Sequence, residues 1–132
     1  MSRKHAKETF ISLNGVNLSA YANASEFGRT ADSHDVTTYG KNAHVKDGGL
    51  LDGTASMSGL YDTAAGGPRA VIEPLLGTVV QLIRRVEGTG SGRPQDTVDV
   101  LVTGYVETSP VADYVQWSCE MELSDDVAST VQ

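Results

Sequence analysis

Several groups of residues in this chain carry the letters of known chemistry. Glu87-Gly88-Thr89-Gly90-Ser91-Gly92-Arg93-Pro94 has the glycine density of a phosphate-cradling loop. Such loops work when a strand leads into the glycines and a helix N-terminus then receives the phosphate. Here a strand-like run follows instead, no Lys-Ser/Thr pair is present, and Pro94 closes the segment. It reads as a flexible hairpin connection. Ser33-His34-Asp35 has the letters of a nucleophilic triad. Adjacent residues of an extended chain point to opposite faces, so they cannot orient one another as base and partner. Cys119 alternates with Trp117 and Met121, which is the setting of a small buried thiol rather than an accessible nucleophile. Glu120 and Glu122 share the opposite face. Paired carboxylates do acid–base work only in a cleft that separates their pKa values, and on an open sheet they make a negative surface. Three His and one Cys leave too few ligands for a zinc site of the usual kind. The residues therefore assign no catalytic, cofactor-binding or metal site.

The elements that would position these groups are mostly strands. Short runs rich in Val, Thr, Ile and Tyr alternate with Gly, Asn, Asp and Pro clusters. Residues 8–13 and 16–18 flank Asn14-Gly15, a strong two-residue hairpin signal. Residues 24–31 and 36–39 read as extended. Residues 40–53, dense in Gly and Asp, read as a long loop. Residues 54–61 alternate Thr54, Ser56 and Ser58 with Ala55, Met57 and Gly59. Pro68 and Gly77 bracket Val71, Ile72, Leu75 and Leu76 at helical spacing, so residues 67–77 read as one short helix with Pro74 inside it. Strands at 78–86 and 97–108 flank the glycine-rich connection 87–96. The last strand, 114–123, alternates most clearly: Val115, Trp117, Cys119, Met121 and Leu123 against Tyr114, Gln116, Ser118, Glu120 and Glu122. Residues 124–132 read as a frayed tail. The expected core is Phe10 or Ile11, Phe27, Met57, Leu75, Leu76, Leu82, Val100, Val102, Trp117, Cys119 and Met121.

These elements sum to a mainly β fold, an antiparallel sandwich or barrel with one short flanking helix, in a single domain over 1–132. The size suits that: 132 residues, with 39% hydrophobic and 20% charged content. No apolar run approaches the roughly 20 residues that span a bilayer, and no apolar stretch follows the charged N-terminus as in a secretion signal. A net charge of −7 opposes any grip on nucleic acid, whose affinity comes mainly from clustered Lys and Arg. A single cysteine allows no intrachain disulfide. What the composition leaves over is a polar sheet face shared by several strands.

A set of collinear segments gives that face a context. Asn14-Gly15, Asp35-Val36-Thr37-Thr38-Tyr39-Gly40, Gly49-Leu50-Leu51-Asp52-Gly53-Thr54, Ser58-Gly59-Leu60-Tyr61-Asp62, Gly67-Pro68-Arg69-Ala70, Glu87 to Gly92 and Ser109-Pro110-Val111-Ala112-Asp113 resemble the tail tube (major tail) proteins of long-tailed, non-contractile phages. The resemblance runs from about Phe10 to about Asp126. It implies a two-sheet β-sandwich with a flanking helix, and a structural, non-enzymatic virion protein whose hexameric rings stack into a hollow tail tube. Double-stranded DNA would pass through without specific binding. Implied partners are further copies of the chain and the tape measure, tail terminator and tail tip proteins. Implied location is the virion tail, after assembly in the host bacterial cytoplasm, with no membrane and no cofactor involved.

Under that resemblance the polar face would line the lumen, through Ser56, Ser58, Asp99, Thr103, Gln116, Ser118, Glu120 and Glu122. A wall of carboxylates and hydroxyls would not retard phosphates. Contacts between subunits would come from the 40–53 loop, through Lys41, His44, Lys46, Asp47, Leu50, Leu51 and Asp52. The N-terminal arm, residues 1–8, would add Arg3, Lys4 and Lys7 against acidic surface on the next ring. The rival reading is a small monomeric or dimeric β-sandwich binding module that uses the 40–53 and 87–96 loops for a ligand.

Overall fold

A computed structural model describes residues 3, 5–125 and 127–132, and Lys4 lies outside the described residues. The chain forms β1 (Phe10–Leu13), β2 (Val16–Asn17), β3 (Ala22–Asp35), β4 (Lys46–Leu60), a helix α1 (Pro68–Ile72), β5 (Val79–Arg85), β6 (Pro94–Thr108), β7 (Gln116–Leu123) and β8 (Ala128–Val131). All strand pairs are antiparallel, in the order β2-β1-β5-β6-β7-β4-β3, with β8 beside the start of β6. The fold is thus mainly β with one short helix. The two sheets of the resemblance are one continuous sheet that curls back on itself. Trp117 Nε1 donates to Tyr21 O at 3.2 Å, and Arg84 Nε on β5 donates to Ser25 Oγ on β3 at 3.3 Å across the mouth of the curl.

The two-residue period of the strands fills the inside of that curl. Leu13, Leu18, Ala55, Met57, Ile72, Leu82, Val98, Val100, Val102, Trp117, Cys119 and Met121 are buried together with Ile11. Of the expected core, Phe27 and Leu75 are only partly buried and Leu76 is 43% exposed. The cause is Pro74. It has no N–H to give the turn before it, so α1 stops at Ile72 and a 3-10 turn, Glu73–Leu75, follows. The expected 67–77 helix is therefore shorter, and Leu76 leaves its face. Asn14 and Gly15 have φ of 53° and 81°, the left-handed pair that a tight hairpin needs.

Three expected boundaries move. Residues 46–53 belong to β4, not to a loop, because each pairs or neighbours a pairing with β3: Asp35↔Lys46, His34↔Asp47, Ala31↔Leu51 and Arg29↔Gly53. The turn of this hairpin is residues 36–45, so the extended piece expected at 36–39 is not a strand. The tail carries β8, whose backbone pairs Pro94↔Val131 and Thr97↔Ala128, and this pulls the start of β6 back to Pro94. Gln132 fastens the 87–93 connection: its Nε2 donates to Gly88 O at 2.9 Å and its N–H to Arg93 O at 2.9 Å.

The β3–β4 hairpin leaves the body. β7 supports β4 only from Thr54 to Leu60, so residues 46–53 and their partners on β3 form a two-stranded arm. The chain exposes 8680 Å². A compact monomer of its mass exposes about 6,700 Å², and residues 28–52, which include the arm and its turn, are all exposed. At the base of β4, Gly59 has no room for a side chain, since a Cβ there would overlap the Tyr21 carbonyl oxygen. Gly59→Ala should therefore destabilise the fold by roughly 1–3 kcal/mol, the usual cost of overpacking, as read from the urea midpoint.

Candidate functional site: a polar sheet face, two open edges and an arm

Strand register decides which polar residues share a face. Ser56 lies opposite Glu120 on β7 and Glu26 on β3, while Glu120 lies opposite Gly104 on β6. One step along, Ser58 pairs with Ser118, and Ser118 with Val106. In the other direction Thr54 pairs with Glu122 and Glu122 with Leu101, which places Asp99 two residues away on the same side. Gln116 closes the row at the far end opposite Leu60 and Thr108. Thr103 occupies a bulge between Val102 and Gly104, and its Oγ1 donates to Glu120 O at 3.1 Å. The eight residues expected together therefore fall on or beside one face of β3, β4, β7 and β6. No Lys or Arg occurs within residues 53–60, 94–108 or 116–123. Glu26 on β3 joins this acidic face. Its period-two place was visible in the sequence but had no partner strand to align it.

The reverse face of β7 is dry. Cys119 is fully buried, and desolvation pushes its thiol up to about 12, with the Glu120 charge adding to the rise. At neutral pH it is a packed apolar group. Tyr105, its ring 6.4 Å from Trp117, is also raised, by burial first and then by Glu107 beside it. Arg69 ties α1 to this end: its Nε donates to Glu73 at 3.0 Å, and Nη1 lies 3.7 Å from Glu107. Among the described residues no group of three His, Cys, Asp or Glu side chains could hold a metal ion. No helix among these residues is long and apolar enough to cross a membrane.

Two strand edges are open in the same four-stranded face. β3 pairs only with β4, so its other edge has no strand beside it among the described residues. β6 loses β5 after Leu101, apart from the bonds Val102 N–H to Thr78 O and Gly77 N–H to Val102 O, so its C-terminal half is open too. β3 and β6 run in opposite directions, because each of the three pairings between them is antiparallel.

The residues expected at contacts are spread along the arm and the N-terminus. Lys46, Asp47, Leu50, Leu51 and Asp52 lie on β4, and Lys41 and His44 in the 36–45 turn. Leu50 and Leu51 are 80% and 73% exposed. Arg3 is exposed, and Lys7 sits in a 3-10 turn, Ala6–Glu8, away from the arm tip. His34 lies on β3. The turn is pinned by its own polar groups. Val36 N–H donates to Val45 O and Val45 N–H to Thr37 Oγ1, each at 2.8 Å. Asp35 accepts from Thr37 and lies 3.0 Å from His44 Nδ1.

The comparisons with known proteins bear on this architecture. A chain in the tail of an empty gene transfer agent particle, refined with helical and C6 symmetry, superposes at a TM-score of 0.79. It is 15% identical, over 98% of this chain and all of that one. The SPP1 tail tube superposes at 0.78 with 10% identity, over 98% of this chain and 80% of its own. A chain of the sheath–tube complex of an extracellular contractile injection system, in its extended state, gives 0.75 at 11% identity, over 98% and 93%. The chain has the tail-tube fold. No protein-family model and no curated protein matches it.

Hydrogen bonds from Thr37, first from its hydroxyl and then from its N–H, lower the Asp35 pKa below 3.8, and His44 adds to this. A depressed carboxylate stabilises the folded turn fully above its ordinary value and loses that stabilisation as pH falls through the lowered one. The side-chain carboxylate carbon of Asp35, followed by NMR, should therefore titrate below 3.8, with the Thr37 amide shift moving in the same step.

Proposed function

We propose that the chain is a structural, non-enzymatic tube protein: copies join side by side into rings, and the rings stack into the tail tube of a virion. The observation that carries this reading is the four-stranded polar face bounded by two open edges of opposite direction. An open edge is a row of unpaired N–H and C=O groups, and closure into a barrel removes it. Setting β3 of one copy against the C-terminal half of β6 in the next continues the sheet antiparallel, with Ser56, Ser58, Gln116, Ser118, Glu120 and Glu122 on one continuous inner wall. Asp99 and Thr103 would border that wall. The tail-tube fold at full coverage supports the same reading, and C6 symmetry in one such tail favours six copies per ring.

The excess exposed surface fits as well. Roughly 2,000 Å² beyond a compact monomer is the scale of area that stable protein–protein contacts bury. On this reading the arm and the N-terminal segment, with Arg3, Lys4 and Lys7, make contacts between copies. The arm contributes Lys41, His44, Lys46, Asp47, Leu50, Leu51 and Asp52. The wall is acidic because double-stranded DNA must pass and not bind. Tape measure, terminator and tip proteins would complete the tail in the host cytoplasm. A monomeric binding module would have little use for a wide cation-free face between open edges.

Negative-stain microscopy with light scattering over a concentration series tests the reading. Hollow tubes or six-fold rings are expected, and a species that stays small at every concentration counts for the binding module. A Glu120→Lys/Glu122→Lys pair should still assemble, because both side chains are exposed, yet DNA delivery by particles carrying it should fall at least tenfold. Full infectivity would remove these residues from the lumen.

A further inference from the structure

The tip of the arm is a preformed knob. Tyr39 is fully exposed at the apex of the 36–45 turn, just before Gly40, whose φ is 88°. The Asp35, Thr37, His44 and Val45 contacts described above fix that turn without help from any other element. A ring held on a fixed turn loses little further freedom when it docks, which is how an anchor residue gains affinity. Lys41, the only Lys or Arg of the turn, stands two residues on.

A matching depression lies at the opposite end of the strands. β4 leaves the arm at Gly53 and ends at Leu60, a span of roughly 20–25 Å at the usual strand rise. There Tyr21, Asn23, Leu60, Tyr61, Asp62 and Tyr114 line a hollow of about 390 Å³. Three tyrosines and a leucine line it with Asp62, whose carboxylate accepts the Ala64 N–H at 2.8 Å; Arg69, hydrogen-bonded to Tyr61, has its charge offset by Glu73 and Glu107. Asp113, adjacent to Tyr114, adds a second negative charge. The hollow thus offers aromatic and apolar surface to a ring and negative charge to an ammonium.

Resting on the tube reading, we propose that Tyr39 and Lys41 of one copy dock into the Tyr21–Leu60–Tyr61–Asp62–Tyr114 hollow of the copy stacked beyond its arm. Knob and hollow are at unlike ends of the molecule, so the contact is heterologous and repeats without closing, as a stack of rings requires. The arm supplies the reach, since residues 46–52 carry the turn roughly 20 Å beyond the last support from β7. The charge pairing Lys41 to Asp62 favours this end of the neighbour and sets register. Rings would form through the open edges, and stacks through the knob.

The test separates the two levels. Tyr39→Ser should still form rings but lose at least tenfold in the sedimenting, stacked fraction. Lys41→Glu and Asp62→Lys should each weaken stacking, and their combination in one chain should recover most of it. Mixed Tyr39→Cys and Asn23→Cys copies, mildly oxidised, should give a disulfide-linked heterodimer in tubes and not in isolated rings. Cys119, fully buried, stays out of that reaction. Stacking of Tyr39→Ser equal to the parent, or tubes without the 39–23 cross-link, overturns the knob while leaving the tube reading intact. A parent protein that forms no rings at all overturns both.

Discussion

Everything in this fold depends on the two-residue period of β7. Trp117, Cys119 and Met121 face inward with almost no exposure, while Gln116, Ser118, Glu120 and Glu122 face out. A slip of one residue would turn two carboxylates into the core and a Trp into water. Burying an unpaired carboxylate costs several kcal/mol, so the register is fixed by both faces at once. β4 repeats the logic beside it, with Ala55 and Met57 inward and Ser56 and Ser58 outward. One packing decision therefore creates both the dry core and the cation-free face.

The same decision leaves the arm without a core of its own. A two-stranded ribbon is marginal in water because nothing covers its faces. Here the ribbon persists through cross-strand pairing over β3 and β4 and through the polar clasp of its turn. Exposed Leu50 and Leu51 then stand on an element that gains from being covered. On the proposed reading a neighbouring copy is that cover, which would join the stability of the arm to assembly.

How far this was legible in the sequence varied with how local the signal was. Alternation in 114–123 and 54–61 located the core and the polar face, since period two survives in any sheet. Asn14-Gly15 located its hairpin because the left-handed backbone it permits is a local property. Residues 46–53 misled because Gly and Asp usually mark turns. Here glycine is used for close approach instead: a Cβ at Gly53 would overlap the Gly28 carbonyl oxygen, and one at Gly49 would meet the His34 ring. That requirement comes from the partner strand, which composition does not reveal. β8 was missed for the same reason, since Ala128–Val131 has no hydrophobic period and is held by the edge of β6. Leu76 was placed in the core by helical spacing that Pro74 interrupts.

The acidity of the face is informative in its sparseness. At physiological ionic strength a charge is felt over about 8 Å, so a carboxylate wall in the proposed lumen would act on DNA only near contact. It need not propel anything. On the proposed reading it would make each close approach of a phosphate slightly unfavourable, while Ser56, Ser58 and Ser118 between the charges would offer hydrogen bonds no stronger than those of water. A single lysine per copy would act differently, because a ring of identical copies multiplies it around the wall and successive rings repeat it along the axis. Counterion release would then accumulate at every phosphate in register. In an assembly built by repetition, as proposed, excluding cations from three short strand segments would govern the whole channel, so the absence of Lys and Arg there would carry more weight than the presence of any one acid.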